Sequence, residues 1–303
     1  MAKAYASAIL QAPVEAVWSI VRNFNGLPQW LPAVVESRIE DGRDADSVGC
    51  VRRLKLGDGG GCTERLLALD DSRYRVTYAF IEPAFPITDY VSTLELIPVT
   101  SGERTFAHWS GAFEEKPEDA GKWEKVISGD VYTAGLVSLA GKVRGMAAPA
   151  GARRWDGFRP SKVFCSSVIN GPLTAVWERV RDFAALGAWH PDVTAMHMLG
   201  GVRSDKISGV RAFDMGGHLH ERLTYLSDRE HAFRYTIEQS PMPWLDYHAG
   251  ARFYPVTDAN RTFAVWTADW TAAPNDDVGL IPGIHNSVFQ KAFDTLNERY
   301  FRG

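Results

Sequence analysis

Apolar residues recur at helical spacing in VEAVWSIVRNF (14–24) and again in LTAVWERVRDF (173–183), each stretch entered through a proline, Pro13 or Pro172. Proline is favoured at the start of a helix, where its missing N–H costs nothing, so the spacing predicts a short helix after each proline. The polarity then changes period. TERLLAL, RYRVTYAFIE, DYVSTLELIPV and RTFAHWSGAF in the first half of the chain, and HERLTYL, AFRYTIE, YHAGARFYPV and RTFAVWTADW in the second, alternate and are separated by turn residues, which predicts antiparallel strands. Each half closes on a helical stripe. In the second half it runs through Ile281, Ile284, Val288, Phe289, Ala292, Phe293 and Leu296, and in the first it lies between Lys122 and Val143.

The two series are copies of one another. WSIVRNFNGLPQWLP at 18–32 and WERVRDFAALGAWHP at 177–191 align at an offset of 159 residues, and from Glu64 and Glu221 onward the offset is 157. PVTSGERTFAHW at 98–109 against PVTDANRTFAVW at 255–266 is the closest match. So long a period marks a duplicated domain, since solenoid repeats run to about 20–50 residues. The expected organisation is a first domain over 1–145, a linker over 146–160 rich in Gly, Ala, Pro and Arg, and a second domain over 161–303.

Composition narrows the class. The 303 residues suit two domains of ordinary size, and 45% hydrophobic content suffices for two cores. With 33 basic and 37 acidic residues and no basic block, nothing advertises nucleic acid or an anionic membrane as a partner. Three cysteines, Cys50, Cys62 and Cys165, form no even disulfide framework, and no apolar run reaches the roughly 18 residues of a membrane span. The apolar start MAKAYASAILQAP has a counterpart in mid-chain, FCSSVINGP, so both read as first strands and not as an export signal. A soluble, cytoplasmic protein is expected.

Strand, short helices, several antiparallel strands and one closing helix make an α+β arrangement in which a curved sheet wraps a helix. The VW..VRDF..L..WHP stretch, ERL before an Asp-containing turn, the DY strand start and the RTF..W strand resemble the START-like, or SRPBCC, superfamily. That superfamily includes the birch pollen allergen, the polyketide cyclases and dehydrases and the abscisic acid receptors. The resemblance covers about 140 residues of each half, in line with ordinary domain size. It implies two helix-grip domains, each with an internal ligand cavity between sheet and helix. Function does not follow from it, because the superfamily hosts binders, carriers, sensors and cyclases.

Alternation assigns the faces that would line such chambers. In the second half Tyr247 and Phe253 share one face, as do Trp266 and Trp270, Phe233 and Tyr235, and Leu219, Glu221, Leu223 and Tyr225. In the first half Glu64 stands beside Leu66 and Ala68, with Tyr78, Tyr90 and Trp109 on the matching strands. Each half thus presents one carboxylate, two phenols and an indole to an apolar space. Two readings of the carboxylate compete. Either it is satisfied by tyrosines or an arginine, as a buried charge must be, or desolvation raises its pKa and makes it an acid or base.

Seven of the eight histidines lie in the second half. His285 falls on the closing helix where the first half has Ser128, and His190 follows Trp189 where the first half has Leu31. In the abscisic acid receptor relatives the loop holding His190 lies near the cavity mouth. HLHE at 218–221 resembles a metal-ligand cluster, but His218 and His220 share one strand face and Glu221 the other, so no metal is expected. No phosphate loop, dinucleotide fingerprint or nucleophile elbow is present, and no cofactor is expected.

The expected function is a cofactor-independent enzyme acting on a small aromatic or polyketide-like molecule by cyclisation, dehydration or a lyase step in the apolar cavity of the second domain. Glu221 and His285 would exchange protons, Tyr235 and Tyr247 would steady an oxyanion, and Trp189, His190, Trp266, Trp270, Phe253 and Phe289 would line the chamber. The alternative is a non-catalytic binder, carrier or sensor of a hydrophobic small molecule.

Overall fold

The computed structural model describes residues 1–40, 42–150 and 161–302, and the chain divides into two compact units. Of the linker expected at 146–160, residues 151–160 lie outside the described residues.

In the first half β1 (Ala2–Leu10) leads through Pro13 into α1 (Val14–Val21), then a 3-10 turn over Phe24–Gln29. Six strands follow as a meander: β2 (Val34–Ile39), β3 (Val51–Leu56), β4 (Gly61–Asp70), β5 (Arg75–Glu82), β6 (Ile87–Val99) and β7 (Arg104–Glu115). The order across the sheet is β1-β7-β6-β5-β4-β3-β2. The closing helix consists of α2 (Lys122–Val126), a π-helical segment (Ile127–Thr133) and α3 (Ala134–Val143).

The second half repeats this plan with β8 (Val163–Ile169), α4 (Leu173–Val180), α5 (Leu186–Trp189), β9 (Thr194–Met198), β10 (Val210–Asp214), β11 (His218–Ser227), β12 (Ala232–Gln239), β13 (Leu245–Val256) and β14 (Arg261–Thr271). Its strand order is β8-β14-β13-β12-β11-β10-β9, and its closing helix is α6 (Pro274–Pro282), a π-helical segment (Gly283–Gln290) and α7 (Lys291–Arg299). Both halves are therefore helix-grip domains, seven antiparallel strands around a closing helix.

Repeated sequence features have repeated structural causes. The Trp and Arg of W..VR stand one helical turn apart and close on a single aspartate: Trp18 Nε1 and Arg22 donate to Asp71, and Trp177 Nε1 and Arg181 donate to Asp228. This ties the first helix to the turn after β4 or β11. The aspartate of each DY pair has a left-handed backbone, φ 54° at Asp89 and 53° at Asp246. Both sit where the ladder to the next strand shifts register, and a short side chain that tolerates this conformation suits a bulge.

Two features depart from the sequence reading. Alternation along HERLTYL puts Tyr225 on the inner face, but a register shift between Leu223 and Tyr225 turns Leu226 toward the core instead. The first half does the same between Leu66 and Ala68, and Leu69 packs inward. Strands β2, β3, β9 and β10 escape the apolar pattern. They are short, and β2, β3 and β10 carry charged residues, as in VVESRI and VRRLKL.

Candidate functional site

The carboxylates Glu64 and Glu221 are buried on the inner faces of β4 and β11. Each has an arginine directly opposite on the neighbouring strand, Arg52 against Glu64 and Arg211 against Glu221. Arg211 Nε donates to Glu221 at 2.7 Å and Nη2 approaches the same oxygen at 2.5 Å, while Nη1 donates to the Phe183 carbonyl at 2.6 Å. Arg52 holds Glu64 in the same way, at 2.7 and 2.6 Å, and also donates to the Phe24 carbonyl. The guanidiniums lie over the Phe24 and Phe183 rings at 3.8 Å. Each carboxylate is thus one end of a buried ion pair fixed at both ends. Burial raises the Glu221 pKa, and the attraction and hydrogen bonds of Arg211 oppose that rise. The arginine was legible in principle: Val-Arg at 51–52 and 210–211 recurs at the 159-residue offset.

In the first half, hydroxyls converge beside that pair. Trp109 Nε1 donates to both the Tyr78 hydroxyl and Ser92 Oγ at 3.0 Å, and Ser92 lies 2.9 Å from the Tyr132 hydroxyl, itself 2.8 Å from that of Tyr90. Tyr132 comes from the π-helical segment and stacks on Trp109 at 4.8 Å. Burial pushes the Tyr132 phenol up to about 12 and Tyr78 and Tyr90 well above their ordinary value, so all three are neutral donors. A cavity of about 20 Å³ adjoins the network, with Arg52, Tyr78, Trp30 and Trp109 among its walls. It has room for about one water.

Tyr132 and Ser92 were not singled out from sequence. They stand where the second half has Phe289 and Ala249, so residues shared by the two copies do not point to them. Gly111, on β7, is their steric partner. A Cβ there would collide with the Tyr132 hydroxyl, and the second half, having Phe289 instead, places Ala268 at that position.

The second-half interior is filled by rings. Trp266 stacks on Phe289 at 4.4 Å and meets Trp189 at 5.8 Å, and Phe253 packs on Trp177 and Phe233. Tyr247 stacks on Trp270, whose Nε1 donates to Asp277 of α6 at 2.8 Å. Tyr235 and Tyr247 are buried, and desolvation raises both phenols. So Glu221, Tyr235, Tyr247 and Trp266 share one interior.

The two histidines lie elsewhere. His285 hydrogen-bonds Asn286 and borders an open depression of about 240 Å³ beside Lys162, Phe164 and Ile281, with no member of the Glu221 group on its walls. His190 is fully buried. It accepts from the Asp192 N–H through Nδ1 at 3.3 Å, so Nε2 carries the proton and donates to the Val288 carbonyl at 3.1 Å. Burial lowers its pKa, and the neutral ring pins the loop after α5 to the π-helical segment.

Among the described residues no group of three or more His, Cys, Asp or Glu is arranged to hold a metal, and no helix is long and apolar enough to cross a membrane.

Twice in one chain, a seven-stranded antiparallel sheet grips a helix over an interior of rings with one buried ion pair: this is a tandem START-like protein. The chain belongs to the polyketide cyclase / dehydrase and lipid transport family, which it matches over residues 1–144 and 162–300. Among solved structures, the protein XoxI from Bacillus cereus is 30% identical over 47% of this chain and 95% of its own, with a TM-score of 0.43. The di-domain aromatase/cyclase BexL of the BE-7585A biosynthetic pathway covers 98% of both chains at 13% identity and a TM-score of 0.41. Norcoclaurine synthase from Thalictrum flavum is 18% identical over 46% of this chain and 92% of its own, with a TM-score of 0.39.

Proposed function

We propose that this chain binds a small aromatic molecule bearing a hydroxyl or carbonyl oxygen, and that the first half receives it. Family membership supports a small apolar ligand. The observation that carries the reading is the cavity whose walls include Arg52, Tyr78 and Trp109, where aromatic rings meet neutral donors. A ligand larger than a water needs this space to widen, and the buried side chains Leu27 and Trp30, which also line it, are the ones it would displace.

Binding fits the geometry better than acid–base catalysis in the second half, because Glu221 is tied to Arg211 and His285 lies on a separate surface depression. A proton shuttle needs its partners within hydrogen-bond reach. Titration of the full chain with a naphthol and with naphthalene, followed by tryptophan fluorescence, tests the reading. The naphthol is expected to bind more tightly, to bind at least ten-fold more weakly to Tyr78→Phe and Leu94→Phe proteins that retain the wild-type melting temperature, and to be recovered unchanged. Equal binding of both probes, or loss of binding on His285→Ala and not on the first-half changes, overturns it.

A further inference from the structure

The outer face of the second sheet carries a pair of imidazoles that the interior chemistry does not use. His218 and His220 alternate to the same side of β11, and their Nε2 atoms face one another at 3.1 Å, with ring centroids 4.9 Å apart. Behind them Asp214, directly opposite His218 on β10, accepts from His218 Nδ1 at 2.9 Å. A carboxylate only accepts, so the proton of neutral His218 sits on Nδ1, and its Nε2 accepts the Nε2 proton of His220, which a bound metal ion would displace. Asp214 and His218 are about half exposed, so the pair opens to solvent. Ala212, opposite His220, puts only a methyl group beside it, and His197, opposite Ala212 on β9, is hydrogen-bonded through Nδ1 to the Ala195 carbonyl.

We propose that His218 and His220 chelate a divalent transition metal through their Nε2 atoms, with water in the remaining positions and Asp214 as the outer carboxylate that fixes the His218 tautomer. With metal–nitrogen bonds of about 2.05 Å, a 3.1 Å bite subtends about 98° at the metal. That angle suits two cis positions of a tetragonal ion, and two imidazoles with water favour Cu²⁺ and then Ni²⁺ over Mg²⁺ or Ca²⁺. Glu221, the next residue, takes no part, since it faces inward on Arg211. The site belongs to the second half alone: the first half has Lys55, Gly61 and Thr63 at the positions of Asp214, His218 and His220.

Titration of the untagged full chain with CuCl₂, read by electron paramagnetic resonance and calorimetry, tests this. One Cu²⁺ per chain with hyperfine coupling to two nitrogens is expected. His218→Ala and His220→Ala should each weaken binding at least ten-fold, Asp214→Asn about ten-fold through the lost outer carboxylate, and His197→Ala and His248→Ala not at all. Coupling to fewer than two nitrogens, or equal weakening by the His197 or His248 change, overturns the assignment. These residues are on the sheet's outer face, so far-ultraviolet circular dichroism of each variant should match the wild type, and a Cu²⁺ site lost only with the fold also overturns it.

Discussion

Gly111 and Tyr132 show how a single methyl group decides the chemistry of an interior. The Tyr132 hydroxyl occupies the space in which a Cβ at position 111 would stand, and from there it reaches Ser92 and Tyr90. Gly111→Ala should therefore push Tyr132 out of the network and cost about 1–3 kcal/mol, the usual range for overpacking a well-filled core. Adding Tyr132→Phe removes the colliding oxygen and should recover most of that loss, because Ala268 and Phe289 already coexist at these positions. A double-mutant cycle by urea denaturation measures the coupling; additive losses would mean that the two residues do not meet. In the sequence Gly111 and Ala268 are one difference among many between the copies. The hydroxyl network was legible only after the π-helical segment had brought Tyr132 over Trp109, across a long separation in the chain.

At the scale of elements, two of the strands that pattern reading missed, β3 and β10, are the ones that satisfy the buried carboxylates. Apolar alternation identified β4, β5, β6 and β7 and their repeats, because one face of each is apolar. Strands β3 and β10 carry Arg52 and Arg211 inward, a charge where an apolar residue is expected, and charged residues outward as well. Each arginine joins three elements: its own strand, the glutamate strand beside it and the turn holding Phe24 or Phe183. Replacing one member leaves its partner buried and unpaired. Glu221→Leu should cost about 3–5 kcal/mol, whereas Arg211→Met with Glu221→Leu should be near neutral, as buried pairs replaced by apolar side chains of similar volume often are. Chemical denaturation of the three proteins checks this, and a double variant as unstable as the single one would mean that the pair contributes net stability. The closing helices were legible as stripes, but their π-helical segments were not. His285, expected inside, borders the surface depression together with Ile281 of the preceding turn.

Across the whole molecule the halves have kept one frame and exchanged its contents. The first retains hydroxyls around a small cavity, and the second is packed with rings and holds most of the histidines. Acid should therefore act unequally on them. Burial holds His190 below its ordinary pKa, so the unfolded chain takes up a proton at this position before the folded one does. The stability this contributes is present above about pH 6.5, the unfolded value, and is lost as pH falls below it. His231, lowered by burial as well, adds to the same trend. Asp228, held at about 2 by hydrogen bonds from Arg181 and Trp177, contributes a later loss as pH falls from its unfolded value near about 4 toward 2. Melting temperatures measured between pH 7.5 and 5 should decline less steeply for His190→Leu, which restores the residue of the first half; an unchanged slope would exclude His190 as a source. The duplication also has an intermediate written into it. If the ancestral domain had Gly and Tyr at the positions of Gly111 and Tyr132, a copy evolving toward Ala268 and Phe289 had one smooth route. The tyrosine had to lose its hydroxyl before the glycine could gain a methyl, since the reverse order passes through the colliding pair. An ancestor with Ala and Phe would have had to lose the methyl first. Either history runs through Gly with Phe, and a present-day relative bearing that combination would be a surviving intermediate between the two interiors.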